Sequence, residues 1–329
     1  MIGQCIVSLG VRHTGSLAVA RFRRASGLLT RGLAVALACG LAWSAPLTRA
    51  AEPGIAPEAA RFKLGALDIA VLRDSAVDLP NDGSTFGLNA TPAEVAGVLR
   101  QAGAATDKVH LDIDALLIRM PDHLVLIDAG YGPANHGMLK KSLASIKVSA
   151  ADITDVLITH SHPDHVGGLV DGKQQPAFPK AVIRMSAAEW AHMQSGKAGS
   201  EVAAIKSRVR TFTPGQQLLP GITPIALYGH TPGHVGYRIT SGGHSLMDIG
   251  DLAHSSIVSL AKPGWTIAWD ADKVQGVNIR QRELKRLADT GDLMFAPHFP
   301  FPGVGKIQAV GEGYRFEPGL PVGDKVGDR

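Results

Sequence analysis

One short segment constrains this chain more than any other, because it places four potential metal ligands within six residues directly after a predicted strand at 155–159. The segment reads Thr159-His160-Ser161-His162-Pro163-Asp164-His165. Alternate side chains of an extended chain share a face, so His160 and His162 can converge on one ion. The proline then redirects the backbone, and Asp164 and His165 can face a second ion nearby. Imidazole and carboxylate together suit zinc or a related divalent metal. A polar surface loop with solvated histidines is the alternative, and it rarely reaches such density.

Three later segments place a histidine or an aspartate where a predicted strand ends. They are Gly229–His234, Asp248–Asp251 and Ala296–Pro300. Strand ends that meet at one edge of an α/β layer are where such folds build their sites. The sequence therefore predicts that these segments join the first one in a single site.

The hydrophobic pattern predicts strands that alternate with helices, which indicates a layered α/β fold. Predicted strands cover 62–74, 115–128 (a pair folded at 121–123), 155–159, 181–185, 222–227, 235–240, 245–249 and 293–296, and predicted helices cover 92–100, 186–193 and 272–290. Thr91, Pro92 and Glu94 form the pattern of a capped helix start. Because no strong linker, repeat or transmembrane segment follows residue 52, we expect one domain at 61–329 after a flexible leader at 51–60.

Residues 1–50 are predicted to be an export signal. A run of 14 uncharged, mostly apolar residues at 32–45 follows a basic region and precedes Thr48-Arg49-Ala50, a small-residue cleavage pattern. The pair Arg23-Arg24 favours the twin-arginine route, with the ordinary secretory route as an alternative. An uncleaved membrane anchor or an overextended gene start remains open. We therefore expect a protein that is exported, either periplasmic or secreted, with no stable membrane anchoring after processing.

Charge and cysteine content exclude several classes of function for the part that follows the signal. The whole chain has a formal charge of +4, but six of its 33 basic residues and none of its 29 acidic residues lie in the first 50. The remainder is net negative, and a nucleic-acid binder needs a positive field. Both cysteines, Cys5 and Cys39, also lie in the signal. Disulfides, a cysteine nucleophile and cysteine metal ligands are thereby excluded from the mature chain.

The order of these motifs, THxHxDH, then TPGH, then GD, then a C-terminal histidine, resembles that of the metallo-β-lactamase fold superfamily over about residues 61–317. The resemblance implies a four-layer αββα sandwich with two divalent metal ions, expected to be Zn²⁺, at one edge. It assigns one ion to His160, His162 and His234 and the other to Asp164, His165 and His298, bridged by Asp251. A metal-held hydroxide would be the nucleophile, with Asp164 and Asp251 as the catalytic carboxylates.

Within the superfamily the chain is most similar to the methyl parathion hydrolase group. The similar segments are 159–169, 177–179, 269–272, 297–305 and 313–316. That group is exported, commonly dimeric, and hydrolyses organophosphate triesters and often aryl esters or lactones. Its pocket is rich in aromatic residues, whereas only 5% of this chain is aromatic. The resemblance therefore predicts a small-molecule substrate and a homodimer, with phosphotriesters in doubt.

Several side chains near the motifs have two interpretations each. Asp128 can orient a metal-bound histidine or cap a turn at Gly130. His230 can lie behind the ligands or belong to a turn, and His254 can face the substrate or the solvent. Candidates for the pocket wall, each with core packing as the more frequent alternative, are Trp190, Trp265, Trp269 and Phe299.

The leading hypothesis is a dinuclear metal-dependent hydrolase of esters, lactones or phosphotriesters. Hydrolysis of β-lactams, or of thioesters as in the glyoxalase II kind, is the alternative within the same fold. The missing cysteine ligand disfavours the commonest cysteine-using β-lactamases. A non-hydrolytic metal-binding or redox module is a further alternative, which a full set of seven ligands disfavours.

Overall fold

The computed structural model describes residue 56 and residues 58–196 and 199–321. The predicted export signal lies outside these residues, as does most of the predicted leader at 51–60, whose Ala59 and Ala60 already belong to the first strand. Within the described part of the chain, no helix combines the length and the apolar character needed to cross a bilayer.

The first sheet has seven strands that lie side by side in sequence order. They are β1 (Ala59–Leu64), β2 (Leu67–Pro80), β3 (Lys108–Arg119), β4 (Leu124–Ile127), β5 (Asp155–Leu157), β6 (Val182–Ser186) and β7 (Val209–Phe212). Strands β1 to β4 pair antiparallel, and β4 to β7 pair parallel. The parallel strands β4 and β5 are buried on both faces, as their short apolar runs predict.

The second sheet has six strands in the order β13-β12-β11-β10-β9-β8. They are β8 (Ile222–Ala226), β9 (Val235–Ser241), β10 (His244–Asp248), β11 (Leu293–Phe295), β12 (Val304–Val310) and β13 (Gly313–Pro318). Only β10 and β11 pair parallel among these strands, because the long helix between them crosses over the sheet.

The α-helices are α1 (Pro92–Gln101), α2 (Leu139–Ser145), α3 (Pro163–Val166), α4 (Ala187–Ser195), α5 (Gly199–Ile205), α6 (Val258–Ala261) and α7 (Lys273–Thr290). The predicted capping box is confirmed: the Thr91 hydroxyl accepts from the Glu94 amide, and the Glu94 carboxylate accepts from the Thr91 amide. Asp272 caps α7 by accepting from the Gln275 amide at 2.9 Å.

The two sheets pack face to face, and helices cover both outer faces. The core between the sheets joins residues such as Ile69, Val125 and Leu157 of the first sheet to Val235 and Tyr237 of the second. A second core lies between the first sheet and the helices α2 to α5, and a third lies between the second sheet and α7. The predicted four-layer αββα sandwich is therefore confirmed.

The structure differs from the sequence prediction in places where the pattern was weak. The predicted strand at 62–74 is a hairpin, because Gly65 takes a left-handed conformation (φ 57°) and turns the chain between β1 and β2. A Cβ at Gly65 would approach the Ser241 carbonyl oxygen to 2.4 Å. Strands β7, β12 and β13 and helices α2, α3, α5 and α6 were not predicted.

Candidate metal centre

The predicted site lies at one edge of the sandwich, where several strands of both sheets end. His160 follows β5, and α3 begins one residue after His162. The loop between β8 and β9 carries His230, Asp251 lies beyond β10, and His298 lies beyond β11. Six of the seven predicted ligands, together with His230 and His254, therefore come from four chain segments and meet in one place.

Asp251 lies at the centre of this cluster, with its two carboxylate oxygens facing different histidines. Its Oδ1 lies 3.2 Å from His165 Nε2 and 3.1 Å from His298 Nε2. Its Oδ2 lies 3.2 Å from His230 Nε2 and 3.5 Å from His160 Nε2. The carboxylate thus spans two groups of donors.

The donor atoms fall into groups that are compact enough for metal ions. One group is His160, His162, His230 and Asp251; a second is Asp164, His165 and His298; a third, which overlaps both, is Asp251, His254 and His298. The ligand atoms within each group lie within 4.8 Å of one another. Histidine nitrogens and carboxylate oxygens are the donors of zinc sites.

Buried atoms without partners show that these residues fit a cation. His160 Nε2, His165 Nε2, His254 Nε2 and Asp251 Oδ1 are buried and accept or donate no hydrogen bond among the described residues. An unsatisfied buried polar atom costs free energy. Because all four atoms belong to the same cluster, bound divalent metal would satisfy them.

The prediction that His234 is a metal ligand is wrong in this structure, and His230 takes its place. Both ring nitrogens of His234 are used inside the protein: Nδ1 donates to the Leu227 carbonyl at 2.9 Å, and Nε2 accepts from the Asp251 amide at 3.0 Å. The preceding Gly250 has φ 48°, and a Cβ there would lie 2.6 Å from His234 Nε2. His234 therefore holds the backbone of Asp251 and has no free lone pair for an ion.

Each of three cluster histidines is fixed by a hydrogen bond on its outer nitrogen. His165 Nδ1 lies 2.7 Å from Asp128 Oδ2, as the orienting role of Asp128 predicts. His298 Nδ1 donates to the Asp112 carbonyl at 2.9 Å, and His230 Nδ1 donates to Asp270 Oδ1 at 3.0 Å. Such bonds set the tautomer and point Nε2 into the cluster, where His230 Nε2 lies 2.9 Å from His162 Nδ1.

Asp270 and Glu189 are buried carboxylates beside the cluster that the sequence did not indicate. Asp270 is buried and also accepts from Arg280 Nη2 at 2.7 Å. Glu189 is buried behind the ligand loops. Asp270 and His230 are 40 residues apart in the sequence, so no local motif predicts their contact.

Burial and neighbouring charges set the protonation of the cluster. Burial lowers the pKa of His160 well below its usual range, and lowers the pKa of His162 and of His254 to about 4. Burial also acts to lower the pKa of His230, but the hydrogen bonds and charges of Asp251 and Asp270 outweigh it and raise that pKa to about 9. Burial also acts to lower the pKa of His165 and of His298, but the charges of Asp251 and Asp164 outweigh it and raise both pKa values. His160, His162 and His254 are therefore neutral imidazole at pH 7, the form that binds metal, whereas the other three histidines would release a proton to a bound ion.

A cavity of about 260 Å³ opens beside the cluster. One wall is aliphatic and comes from β2 and β3, with Val77, Leu79, Leu111 and Ile113. The rest of the lining consists of Tyr131, His162, Pro163, Asp164, Asp251, His254, Trp269 and His298. We call this cavity the site pocket.

The structure separates the candidates for the pocket wall. His254 and Trp269 line the site pocket, and their rings are 5.1 Å apart. The prediction for Phe299 is wrong, because its side chain is fully buried in the core under α7 and packs edge-to-face on Phe316. Trp190 and Trp265 pack against hydrophobic cores and do not line the site pocket.

The comparisons with known proteins agree with this geometry. The family model of the metallo-β-lactamase superfamily matches residues 110–301, which is more than half of the chain. The chain belongs to the metallo-β-lactamase superfamily. Probable metallo-hydrolases of Mycobacterium bovis and Mycobacterium tuberculosis are each 23% identical over an alignment that covers 41% of this chain and 55% of the relative. The chain thus spans about half the length of these curated relatives.

Two solved structures share both the fold and a quarter or more of the sequence. AidC, a dizinc quorum-quenching lactonase in complex with the product N-hexanoyl-L-homoserine, superposes with a TM-score of 0.76 at 29% identity, covering 80% of this chain and 98% of that one. The hydrolase AbOPH of the β-lactamase superfamily gives a TM-score of 0.72 at 26% identity, covering 82% and 99%. The resemblance to the superfamily is therefore confirmed.

Proposed function

We propose that this chain is a hydrolase that binds two divalent metal ions and cleaves carboxylic esters or lactones with an aliphatic acyl group. The division of the Asp251 oxygens between two donor groups carries the proposal. The aliphatic wall of the site pocket supports the substrate class. AidC, a dizinc lactonase with a hexanoyl product, supports both.

The two donor groups assign the ligands. His160, His162 and His230 would hold one ion, and Asp164, His165 and His298 would hold the other. Asp251 would contact both. Such a pair of ions, when bound, supplies the Lewis acidity and the activated water that hydrolysis requires. The donors suit zinc, and they also accept other divalent metals.

The chain's own residues would orient the substrate and keep water out. Leu79 and Leu111 would pack against the acyl group, which places the carbonyl carbon toward Asp251 and His254. Trp269, which is 37% exposed and whose ring is tilted by 51° against that of His254, stands at the rim of the site pocket. A cavity of about 260 Å³ suits a small substrate better than a bulky one.

Among the alternatives, phosphotriesters and thioesters have weaker support. Tyr131 and Trp269 are the aromatic rings other than histidine among the residues that line the site pocket, in contrast to the aromatic pocket of the methyl parathion hydrolase group. A thioester of an anionic thiol would need free cations. Yet Arg280 is bound to Asp270, and Arg286 is bound to Glu283 and Asp292.

The test is a side-by-side assay of one zinc-loaded preparation with p-nitrophenyl hexanoate, N-hexanoyl-homoserine lactone, paraoxon and nitrocefin. We expect the ester or the lactone to have the highest kcat/KM, and metal analysis to return two ions per chain. Asp251→Ala should remove at least one ion and reduce turnover by several orders of magnitude. Turnover of nitrocefin alone, or full activity with a single ion, would contradict the proposal.

We further propose that the chain is exported and that residues 1–50 are removed. The basic region, the uncharged run at 32–45 and the cleavage pattern at 48–50 support this proposal. Expression of the full chain in a Gram-negative host, followed by N-terminal sequencing of the periplasmic fraction, would test it. An intact Met1 on cytoplasmic protein would contradict it. The expected homodimer is tested by light scattering on the same sample.

A further inference from the structure

Glu189 lies in the first turn of α4 and is completely buried. It does not line the site pocket, and its backbone amide is capped by the Ser186 hydroxyl at 3.0 Å. Among the described residues no lysine or arginine lies within ion-pairing distance of it. A buried carboxylate without a cation is costly unless hydrogen bonds compensate it, so its partners matter.

Four hydrogen bonds to Glu189 are divided between the two loops that carry ligands of the same proposed ion. Oε1 accepts from the Ser161 amide at 2.8 Å and from the Ser161 hydroxyl at 2.6 Å. Oε2 accepts from the Thr231 hydroxyl at 2.6 Å and from the Gly233 amide at 3.0 Å. Ser161 stands between His160 and His162, and Thr231 follows His230. One carboxylate therefore joins the two loops.

The contact between the second loop and α4 is close as well as polar. A Cβ on Gly233 would lie 2.1 Å from the Glu189 amide nitrogen, so only glycine lets the loop approach this far. The Ser186 hydroxyl also donates to the Gly233 carbonyl at 2.7 Å. The loop is thus held against the start of α4 from two sides.

We infer that Glu189 is a positioning residue that sets the distance between the His160–His162 loop and His230 and thereby the affinity of the ion these three histidines would hold. The inference rests on the metal centre proposed above. Glu189 cannot itself take part in the reaction, because both its oxygens are saturated and it is shielded from the site pocket. Its effect must pass through the histidines.

The other proposed ion provides an internal reference. Its ligands His165 and His298 are oriented by Asp128 and by the Asp112 carbonyl, and none of the four bonds of Glu189 reaches them. Loss of Glu189 should therefore weaken one ion far more than the other. A residue that only stabilises the fold would not make this distinction.

The test is zinc binding by the full chain carrying Glu189→Gln, measured by competition with a chromophoric chelator. The amide nitrogen that replaces one oxygen cannot accept, so the two donors of one loop lose their shared acceptor. We expect one of two ions to bind about 10- to 100-fold more weakly, as for other groups that orient metal ligands. The visible spectrum of the cobalt-loaded protein should change for one ion only.

Asp155→Asn is the matched control. Asp155 is also buried and accepts from Arg184 Nε at 2.9 Å and from Thr154 Oγ1 at 3.0 Å. It lies at the other end of β5, about 16 Å along the strand from His160. We expect this variant to lower the urea midpoint and to leave both zinc affinities unchanged.

Each outcome has a definite consequence. Suppose that wild-type protein binds two ions. If Glu189→Gln then lowers the affinity for both ions equally, or leaves both affinities unchanged, the inference is wrong. Wild-type protein that binds fewer than two ions overturns the proposed centre and the inference with it. If Glu189→Gln does not fold, Ser161→Ala and Thr231→Val remove one donor from each loop. Each should then weaken the same single ion.

Discussion

Asp270 Oδ1 lies 3.0 Å from His230 Nδ1, while its other oxygen accepts from Arg280 at 2.7 Å. The arginine holds the carboxylate, and the carboxylate holds the imidazole. The Nδ1 proton is thereby committed to Asp270, and Nε2 faces Asp251 at 3.2 Å. A histidine that a turn would otherwise leave free to rotate becomes a fixed donor.

The first prediction is that Asp270→Asn weakens zinc binding about 10- to 100-fold, because an asparagine can offer its NH₂ to Nδ1 and favour the wrong tautomer. The measurement is chelator competition on the full chain. Asp272→Asn is the control: this exposed residue caps α7, so it should affect thermal stability alone. Equal zinc affinity in both variants would argue against the orienting role.

The second prediction separates the two histidines of the Gly229–His234 loop. His230→Ala should reduce the zinc content from two ions to one. His234→Ala should keep both ions but destabilise the protein by about 1–3 kcal/mol, because the Leu227 carbonyl and the Asp251 amide lose their partner. Metal analysis and urea unfolding of both variants provide the comparison. The reverse pattern would restore the assignment made from the sequence.

The sequence alone does not decide whether His230 or His234 faces the proposed ions. The motif predicts that the loop supplies a ligand, and the resemblance assigned it to His234. In the structure, His234 immediately precedes β9, and its carbonyl already accepts from the Leu227 amide at 3.0 Å. His230 lies earlier in the loop and can reach the ions. Proximity to the strand is the local signal that favours His230 over His234.

Other features were predictable to different degrees for physical reasons. The capped helix α1 and the buried strands β4 and β5 could be predicted because they depend on patterns among neighbouring residues. Glu189 depends on contacts with residues 28 and 42 positions away, and no local pattern encodes them. Strand β13 has few buried residues, so its hydrophobic alternation is weak.

The third prediction concerns pH and the metal-free protein. The pKa of His230 is raised from 6.5 to about 9 in the folded state, so the folded state binds this proton more tightly than the unfolded state. Its stabilising contribution is therefore complete below about pH 6.5 and is lost as the pH rises through about 9. The difference in urea midpoint between the wild type and His230→Gln, both without metal, should shrink from pH 6 to pH 9. A constant difference would contradict the raised pKa.

The fourth prediction is that zinc binding releases the proton held by His230. Because the ion requires neutral imidazole, loading at pH 7 should release protons, and the apparent affinity should rise with pH up to about 9. Calorimetric titrations in two buffers of different ionisation enthalpy would count the protons. His230→Gln should release fewer protons than the wild type at pH 7.

The last prediction tests the aliphatic wall of the site pocket. Leu79 lines the cavity from β2, whereas Leu88 is 40% exposed and does not line it. Leu79→Ala removes apolar surface that a long acyl chain would cover, at about 0.8 kcal/mol for each buried methylene equivalent. The ratio of kcat/KM for p-nitrophenyl hexanoate to that for p-nitrophenyl acetate should fall about tenfold, since the acetyl group is too short to reach the wall. Leu88→Ala should leave this ratio unchanged. If Leu79→Ala lowers both kcat/KM values equally, the wall contributes to the fold of the site and does not bind the acyl chain.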